Sequence, residues 1–350
     1  MNITDKEIEL YLKDKFGKDA KLNEFKELGK GVYGTAYLVD FDAGKENQRL
    51  VLKTMGLGGF GHDFKADVAA NLILANDTFN KLDKHIKSYD VAAFDGKELI
   101  SIGDAKEYYI LMEEARGKEY NDDFEKMLKG GITEKDKKRT KQLAKYLAEI
   151  HREKKPDQAL CTRRARDLVG HGEYIMGVLD GYAKDSFLSA DEKVEIVKLC
   201  VDWWQTLQGY AHRFCVVHGD FHPYNIMFDK DEFIVLDRSR GELGEPGEDV
   251  AAMAINYLRL EFIKKDGSFK ELFDLFMNTY IEETGDTELL KVIQPFFAFR
   301  AIVVANPIFY PDEWIKERGA EPEEYRKSLI DFTKKILKTE EVKLEKILKW

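Results

Sequence analysis

The chain has 350 residues, a hydrophobic content of 44% and a charged content of 34%, which indicates a globular protein with room for two domains or one large bilobal one. Its net charge of −10 disfavours nucleic acid as a partner, and no uncharged apolar run is long enough to span a membrane. The N-terminus lacks a signal-peptide pattern and the three cysteines make no disulfide framework, so we expect a cytoplasmic protein without a membrane partner.

The N-terminal third is predicted to be rich in strands. Thr4 with Glu7 resembles a capping box that opens a helix reaching Gly17. The stretch "FKELGKGVYGTAYLVDFDAGKENQRLVLKTM" alternates apolar and polar residues with glycines at the turns, which predicts two or three antiparallel strands. A glycine-rich loop and a helix over "FKADVAANLILANDTFNKL" follow. Further strands are predicted at Tyr89–Ala93, Glu98–Ile102 and Tyr108–Met112.

The remainder of the chain is predicted to be mostly helical, with a boundary near Gly117. The predicted helices are Lys135–Lys154, Ala190–Phe214, Asp249–Lys264, Phe269–Glu282, Thr287–Val304 and Pro322–Lys338. Only two short strands are expected among them, Ile226–Phe228 and Phe233–Leu236. The pattern predicts an α+β protein with a β-rich domain over 1–116 and an α-rich domain over 117–350.

A glycine motif and a lysine suggest phosphate binding in the first domain. Gly29, Gly31 and Gly34 form a G-x-G-x-x-G pattern that lets backbone approach phosphates closely, although an ordinary hairpin turn is an equally simple interpretation. The chain continues as a strand after Gly34, which excludes a dinucleotide-binding turn and favours the arrangement of protein kinases. Lys53 lies in the next apolar strand. It either extends to solvent or holds an anion.

The stretch "HGDFHPYNIMF", residues 218–228, carries the strongest signal in the second domain. Asp220 has the chemistry to accept a proton from an attacking hydroxyl. Asn225 offers a carbonyl oxygen to a hard cation. Asp237 ends an apolar strand twelve residues later and has the chemistry to complete a Mg²⁺ site, which needs few protein ligands.

These motifs resemble the aminoglycoside phosphotransferase and choline kinase family. "HGDFHPYN" is similar to the family's H-G-D-x-x-x-x-N loop, and "VLDRSR" lies where its metal-binding aspartate is found. "GEPGEDVA" resembles a segment that ends in a buried aspartate, here Asp249. The resemblance implies a protein-kinase-like bilobal fold with a small antiparallel-sheet N-lobe and a larger, mostly helical C-lobe.

The resemblance also implies the role of each motif residue. Asp220 would be the catalytic base, and His218 would brace its loop. Asn225 and Asp237 would hold Mg²⁺. Lys53 would contact the nucleotide phosphates, covered by the glycine loop.

The same resemblance extends to the rest of the nucleotide site. "YYILMEEARG" is similar to the last N-lobe strand and hinge, so Met112 would lie behind the adenine and the backbone near Glu113 and Ala115 would bind its edge. A glutamate usually pairs with the lysine. Here the helix offers Asp63 and Asp67, and we choose Asp67.

The implied function is transfer of the γ-phosphoryl group of ATP, with Mg²⁺, to a hydroxyl of a small molecule. The segment before the catalytic loop is where the family builds its acceptor pocket. The candidate acceptor-binding residues are Arg163, Arg166, His171, Glu173 and Arg238. An equally simple interpretation is a helical cap with solvated arginines. Arg300 and Asn306 form a second candidate pair, for which a structural ion pair is the simpler interpretation. We expect a monomer or a homodimer.

Three alternatives remain at this point. A kinase-like pseudoenzyme would bind nucleotide or a partner without turnover. Gly219-Asp220 with His222 faintly resembles a metal-dependent phosphoesterase, but that interpretation leaves Lys53 unexplained. The histidines around Cys215 suggest zinc, yet their spacing across a helix end, a strand and a loop would scatter them. Cys215 is better explained as a small core residue than as a nucleophile.

Overall fold

The computed structural model of the chain describes residues 3–31, 34–57, 61–80, 86–105, 113–183, 186–238 and 240–348. The chain forms two compact units, Met1–Met112 and Glu113–Trp350. The predicted domain boundary after residue 116 stays a prediction. None of the helices in the described ranges is long and apolar enough to cross a membrane.

The first unit is built on a helix and a three-stranded antiparallel sheet. Its described elements are α1 (Asp5–Phe16), β1 (Lys21–Lys30), β2 (Thr35–Ala43), β3 (Glu46–Lys53), α2 (Lys65–Phe79), β4 (Ala92–Phe94) and β5 (Leu99–Ser101). The predicted capping box starts α1, because the Glu7 carboxylate accepts the Thr4 N–H at 2.6 Å while the Thr4 hydroxyl accepts the Glu7 N–H. Ile8 of α1 and Phe41 of β2 contribute to a small buried core. The predicted strand Tyr108–Met112 lies outside the described residues.

The second unit is mostly helical, so the predicted α+β class is confirmed. Its described elements are β6 (Lys118–Glu119), α3 (Asn121–Gly130), α4 (Glu134–Ile150), α5 (Gln158–Gly170), α6 (Ile175–Asp180), α7 (Ala190–Leu207), β7 (Cys215–Val216), β8 (Ile226–Asp229), β9 (Glu232–Val235), β10 (Leu243–Gly244), α8 (Gly247–Lys264), α9 (Ser268–Thr284), α10 (Gln294–Ala305), α11 (Asp312–Lys316) and α12 (Pro322–Leu337).

Three sequence predictions for this unit need correction. The predicted helix Thr287–Val304 is a 3₁₀ turn over Thr287–Lys291 followed by α10, because Pro295 in the first turn of α10 has no N–H to continue an earlier helix. The predicted helix to Phe214 leaves α-helical geometry after Leu207. More strands exist than the two predicted, since β6, β7 and β10 have two residues each and such strands leave no periodic pattern.

Helix α8 forms the centre of the second unit. Sixteen of its eighteen residues are buried, as expected for a helix covered on all sides. It packs against α9 and α10, and α10 packs against α12. The N-terminal end of α8 and one face of α10 supply polar side chains to the loops described next.

Candidate active site

Two loops of the second unit lie side by side. The first, His218–Asn225, connects β7 to β8; the second, residues 236–242, connects β9 to β10. Both loops start and end on paired strands, since β7 pairs with β10 and β8 pairs with β9. Backbone hydrogen bonds also join them, from the Leu236 N–H to the Asn225 carbonyl at 2.8 Å and from the Val217 N–H to the Glu242 carbonyl at 3.0 Å. The strand pairing therefore fixes the two loops beside one another.

Asp249 of α8 anchors the backbone of the first loop. Its two carboxylate oxygens accept the backbone N–H groups of His218 and Gly219, each at 2.7 Å, and one of them also contacts His151 Nε2 at 3.2 Å. Asp249 is fully buried, as expected from the resemblance. Burial alone would raise the pKa of Asp249, but the hydrogen bonds from His151 and His218 outweigh it and lower that pKa. An ionised, buried carboxylate thus holds the loop.

The Asp220 side chain is mostly buried beside two arginines and a histidine. Arg300 of α10 donates through Nη1 to Asp220 Oδ1 at 2.6 Å and through Nη2 to the Gly219 carbonyl at 3.3 Å. His222 Nε2 lies 3.5 Å from Asp220 Oδ2. Burial alone would raise the pKa of Asp220, but Arg300 and His222, with a smaller effect of Arg240, hold it well below its ordinary value. Asp220 is therefore ionised at neutral pH.

His218 braces the loop through its ring. The Asp220 N–H donates to His218 Nδ1 at 3.3 Å, and the ring packs edge-on against Phe221. Burial lowers the pKa of His218, so the imidazole is neutral and able to accept that hydrogen bond.

Asn225 and Asp237 lie at the same end of the β8–β9 hairpin, because Ile226 pairs with Val235. Asn225 donates through Nδ2 to the Asp220 carbonyl at 3.0 Å, and none of the described residues donates to its Oδ1. Asp237 is exposed and has left-handed backbone geometry at φ +57°, which is uncommon for a residue other than glycine. Its carboxylate has no hydrogen bond or ion pair with any described residue. Two oxygen groups at one hairpin end, without partners among the described residues, have the chemistry to hold a Mg²⁺ ion.

In the first unit, β2 and β3 hold the end of the glycine motif. A Cβ on Gly34 would lie 1.9 Å from the Thr54 carbonyl oxygen, so close backbone approach to β3 requires a glycine there. The Gly31 N–H donates to the Gly34 carbonyl at 2.8 Å. A Cβ on Gly29 would meet nothing within 4 Å.

Lys53 lies at the end of β3, opposite Ala36 of β2, and is exposed. No described carboxylate lies within ion-pair distance of its Nζ, so the structure does not bring Asp67 to Lys53. Asp67 Oδ2 instead accepts the Phe64 N–H at 2.7 Å at the start of α2. The role predicted for Asp67 stays a prediction.

The predicted adenine-binding residues are only partly described. Met112 lies outside the described residues. Glu113 and Ala115 belong to a segment without helix or strand; Glu113 is exposed and Ala115 is half-buried. Their roles stay predictions.

The five candidate acceptor residues make different contacts. Arg163 and Arg166 both contact Asp167 within α5, at 3.1 and 3.3 Å. His171 caps that helix and accepts the Glu173 N–H at 3.2 Å. Glu173 approaches Asp220 indirectly, because its Oε2 lies 3.9 Å from Nε of Arg240, which neighbours Asp220.

Arg238 is engaged in the second loop. It donates to the carbonyls of Val217 at 2.8 Å and Glu242 at 2.9 Å. Among the described residues, its guanidinium pairs with no carboxylate. The contacts therefore hold the two loops together.

The model of a phosphotransferase enzyme family matches residues 24–268, which is most of the chain. The chain belongs to the phosphotransferase enzyme family. The resemblance predicted from the motifs is confirmed, and the match spans the glycine motif and both loops of the second unit.

Solved structures with some likeness to this phosphotransferase family member include three kinases. A choline kinase from Cryptosporidium parvum has 13% identity, a TM-score of 0.38 and coverage of 96% of both chains. A glucosamine kinase has 15% identity, a TM-score of 0.41 and coverage of 89% of this chain and 94% of its own. A thermostable mutant of an aminoglycoside phosphotransferase has 14% identity, a TM-score of 0.33 and coverage of 92% and 98%. No curated protein matches the sequence.

Sequence reasoning missed the partner of Arg300. A carboxylate partner was expected for this buried arginine, but not that it would be Asp220, eighty positions earlier in the chain. Asn306 does not join it, since its side chain donates to the Val178 carbonyl at 3.2 Å. The signal was an arginine within an otherwise apolar helix. His151, the partner of Asp249, left no such signal.

Two other features bear on the rival interpretations. Within the described ranges, no group of three or more histidine, cysteine, aspartate or glutamate side chains is arranged to hold a metal ion. Cys215 is buried, and burial raises its pKa to about 12, so its thiol is protonated at neutral pH. A core role for Cys215 follows.

Proposed function

We propose that this protein is a kinase that uses ATP and Mg²⁺ to phosphorylate a hydroxyl group of a small molecule. The observation that carries the proposal is the ionised Asp220 carboxylate, held on a loop whose backbone is anchored by buried Asp249. Membership of the phosphotransferase enzyme family supports the reaction class.

Asp220 would orient the acceptor hydroxyl and take its proton. The hydroxyl oxygen forms a bond to the γ-phosphorus, the bond from that phosphorus to the bridging oxygen breaks, and the nucleoside diphosphate leaves. The hydroxyl proton passes to the Asp220 carboxylate and then to solvent. In a loose phosphoryl-transfer transition state the nucleophile needs little activation, so positioning by a weakly basic carboxylate is sufficient.

Asn225 and Asp237 would hold the magnesium ion. The fit rests on the Asn225 Oδ1 and the exposed Asp237 carboxylate at the same hairpin end, neither of which has a partner among the described residues. The ion supplies charge neutralisation to the nucleotide phosphates when it is bound. Asn225 has a second task here, because its amide group supports the Asp220 carbonyl.

The nucleotide would be held by residues of the first unit and the segment after it. We propose that Lys53, which lacks a carboxylate partner among the described residues, contacts the α- and β-phosphates. Gly29, Gly31 and Gly34 would cover the phosphates. Adenine contacts would come from Met112 and from the backbone near Glu113 and Ala115, as the family resemblance implies.

The test is acceptor-dependent ADP formation with Mg·ATP across aminoglycosides, choline, ethanolamine, homoserine, methylthioribose, ketosamines and simple sugars. Asp220→Asn is compared with Asp231→Asn, which changes an exposed carboxylate at the hairpin turn that pairs with Lys138 at 3.0 Å. We expect turnover with at least one acceptor, a loss of about 100- to 10,000-fold in Asp220→Asn, and no loss in the control. Retained turnover in Asp220→Asn would contradict the proposed base.

A further inference from the structure

Arg300 and Arg240 both lie beside the Asp220 carboxylate of the first loop. Arg300 Nη1 donates to Asp220 Oδ1 at 2.6 Å, and Arg240 Nη1 lies 3.7 Å from the same oxygen, too far for a hydrogen bond. Two guanidinium groups therefore face the single carboxylate of Asp220. Glu173 Oε2 lies 3.9 Å from Arg240 Nε, but that side chain is 65% exposed and its pairing is weak.

Two neighbouring carboxylates, Glu248 and Glu245, are paired with other arginines and do not neutralise Arg240. Glu248, a buried acid of α8, is paired with Arg164 at 2.5 Å and accepts the Tyr174 hydroxyl at 2.7 Å. Glu245 is paired with Arg213 at 2.7 Å. Among the described residues, Arg240 therefore has only the shared Asp220 and the exposed Glu173 within ion-pair distance.

The Arg240 side chain makes no hydrogen bond to any described residue. Its guanidinium lies over the Tyr174 ring at 4.7 Å and near the Phe299 ring at 5.5 Å, and its Nε and Nη1 are buried without a partner. Arg300 Nε, on a side chain only 6% exposed, is also buried without a partner. Buried donors in native proteins normally have acceptors, so three such atoms beside Asp220 are available to a ligand.

Arg240 differs in its hydrogen bonding from Arg318, another arginine packed on an aromatic ring. Arg318 lies over the Trp314 ring at 3.9 Å, and its side chain is 14% exposed, against 13% for Arg240. Yet Arg318 donates to the Glu125 carboxylate at 3.1 Å and to the Trp314 carbonyl at 2.6 Å. The structural arginine has its donors satisfied. Arg240 does not.

We propose that the acceptor is an anionic alcohol, with a carboxylate or phosphate group that binds Arg240 while its hydroxyl lies at Asp220. The inference rests on the proposed function. A guanidinium fixed by an aromatic ring presents planar donors that match a carboxylate or a phosphate, and its excess charge favours an anion over a neutral or cationic group. Arg300 orients the Asp220 carboxylate through its hydrogen bond to Oδ1.

The test uses series of related acceptors whose members carry a neutral, anionic or cationic group. Glycerol, D-glycerate and glycerol 3-phosphate form one series; glucose, gluconate, glucose 6-phosphate and glucosamine form another. The measured quantity is the ratio of kcat/KM for an anionic member to that for the neutral member of its series. The carboxylate and phosphate arms separate the two possible anions.

We expect wild-type protein to prefer anionic members of at least one series, mainly through KM. Arg240→Gln should lower that ratio about 10- to 150-fold, as expected for loss of a hydrogen bond to a charged group. Arg240→Lys keeps the charge but not the planar donors, so its ratio should lie between those of wild type and Arg240→Gln. Arg318→Gln, the matched control, should leave the ratio unchanged.

Each outcome either supports or overturns the anionic acceptor. If turnover occurs but the ratio is near one, or if Arg240→Gln lowers kcat equally for all acceptors, the anionic acceptor is wrong and the kinase stands. If no acceptor is phosphorylated, binding of D-glycerate, glycerol 3-phosphate, gluconate and glucose 6-phosphate by calorimetry replaces turnover. Binding that is absent for the neutral members and lost in Arg240→Gln would support the site without the kinase; no binding would overturn it.

Discussion

Replacing Asp249 with asparagine tests whether its carboxylate holds the first loop. Asparagine has the same shape, but one oxygen becomes an NH₂ group that faces the N–H of His218 or Gly219. One buried N–H then loses its acceptor, and the remaining bonds lose the help of the charge. Hydrogen bonds to charged groups contribute about 1.5–3 kcal/mol, and an unsatisfied buried donor costs about 1–3 kcal/mol, so we expect a loss of about 3–5 kcal/mol.

Urea unfolding at pH 7 measures the loss, and its pH dependence tests the cause. The folded-state pKa of Asp249 is lowered, so its contribution is complete above the unfolded pKa near 3.9 and is lost as pH falls through the folded value. The difference in unfolding free energy between wild type and Asp249→Asn should therefore be constant above about pH 5 and shrink below about pH 4.

Glu261→Gln separates loop positioning from general stability. Glu261 is also a buried acid, and it accepts the N–H groups of Gly267, Phe269 and Lys270 at 2.8–3.1 Å, at the start of α9. Both variants should lose stability, but only Asp249→Asn should lower kcat under folding conditions, by about 100-fold. Equal kcat in the two variants, or a stability change under about 1 kcal/mol in Asp249→Asn, would refute the reasoning.

Two further substitutions test the remaining parts of the site. Gly34→Ala should destabilise the protein by about 1–3 kcal/mol in urea unfolding, because its Cβ would overlap the Thr54 carbonyl, whereas Gly29→Ala meets no atom and should cost less; equal costs would contradict the close approach. Asp237→Gly should change stability by less than about 1 kcal/mol, because glycine accepts the left-handed backbone, yet raise the Mg²⁺ concentration needed for half-maximal turnover at least about 10-fold; an unchanged Mg²⁺ requirement would remove Asp237 from the metal site.

The local features of this protein were predictable from sequence. The capping box at Thr4 and the antiparallel pairing of β2 with β3 depend on neighbouring residues, and both appear as predicted. The β8–β9 hairpin was also predicted, because the apolar runs at its two strands are separated by a short polar turn. Pro295 was the local signal that was overlooked.

The contacts that define the electrostatics of Asp220 were not predictable. Arg300 reaches Asp220 from α10, and His151 reaches Asp249 from the end of α4, through helix packing that no sequence spacing encodes. Arg240 is close to Asp220 in sequence, but whether it pairs, stacks or stays unpartnered depends on where Tyr174 lies. The motif pointed to Asp220 as a candidate base, a role that stays a prediction, and the fold determines the surroundings of its carboxylate.

The central claim is phosphoryl transfer to an acceptor hydroxyl, and the most direct test follows the phosphoryl group itself. Protein is incubated with acceptor, Mg²⁺ and ATP labelled in its γ-phosphate, and label is measured in acceptor and in free phosphate. The account predicts label on the acceptor in wild type, and none in Asp220→Ala although that variant still binds ATP. Label released only as free phosphate, or transfer retained in Asp220→Ala, would contradict it.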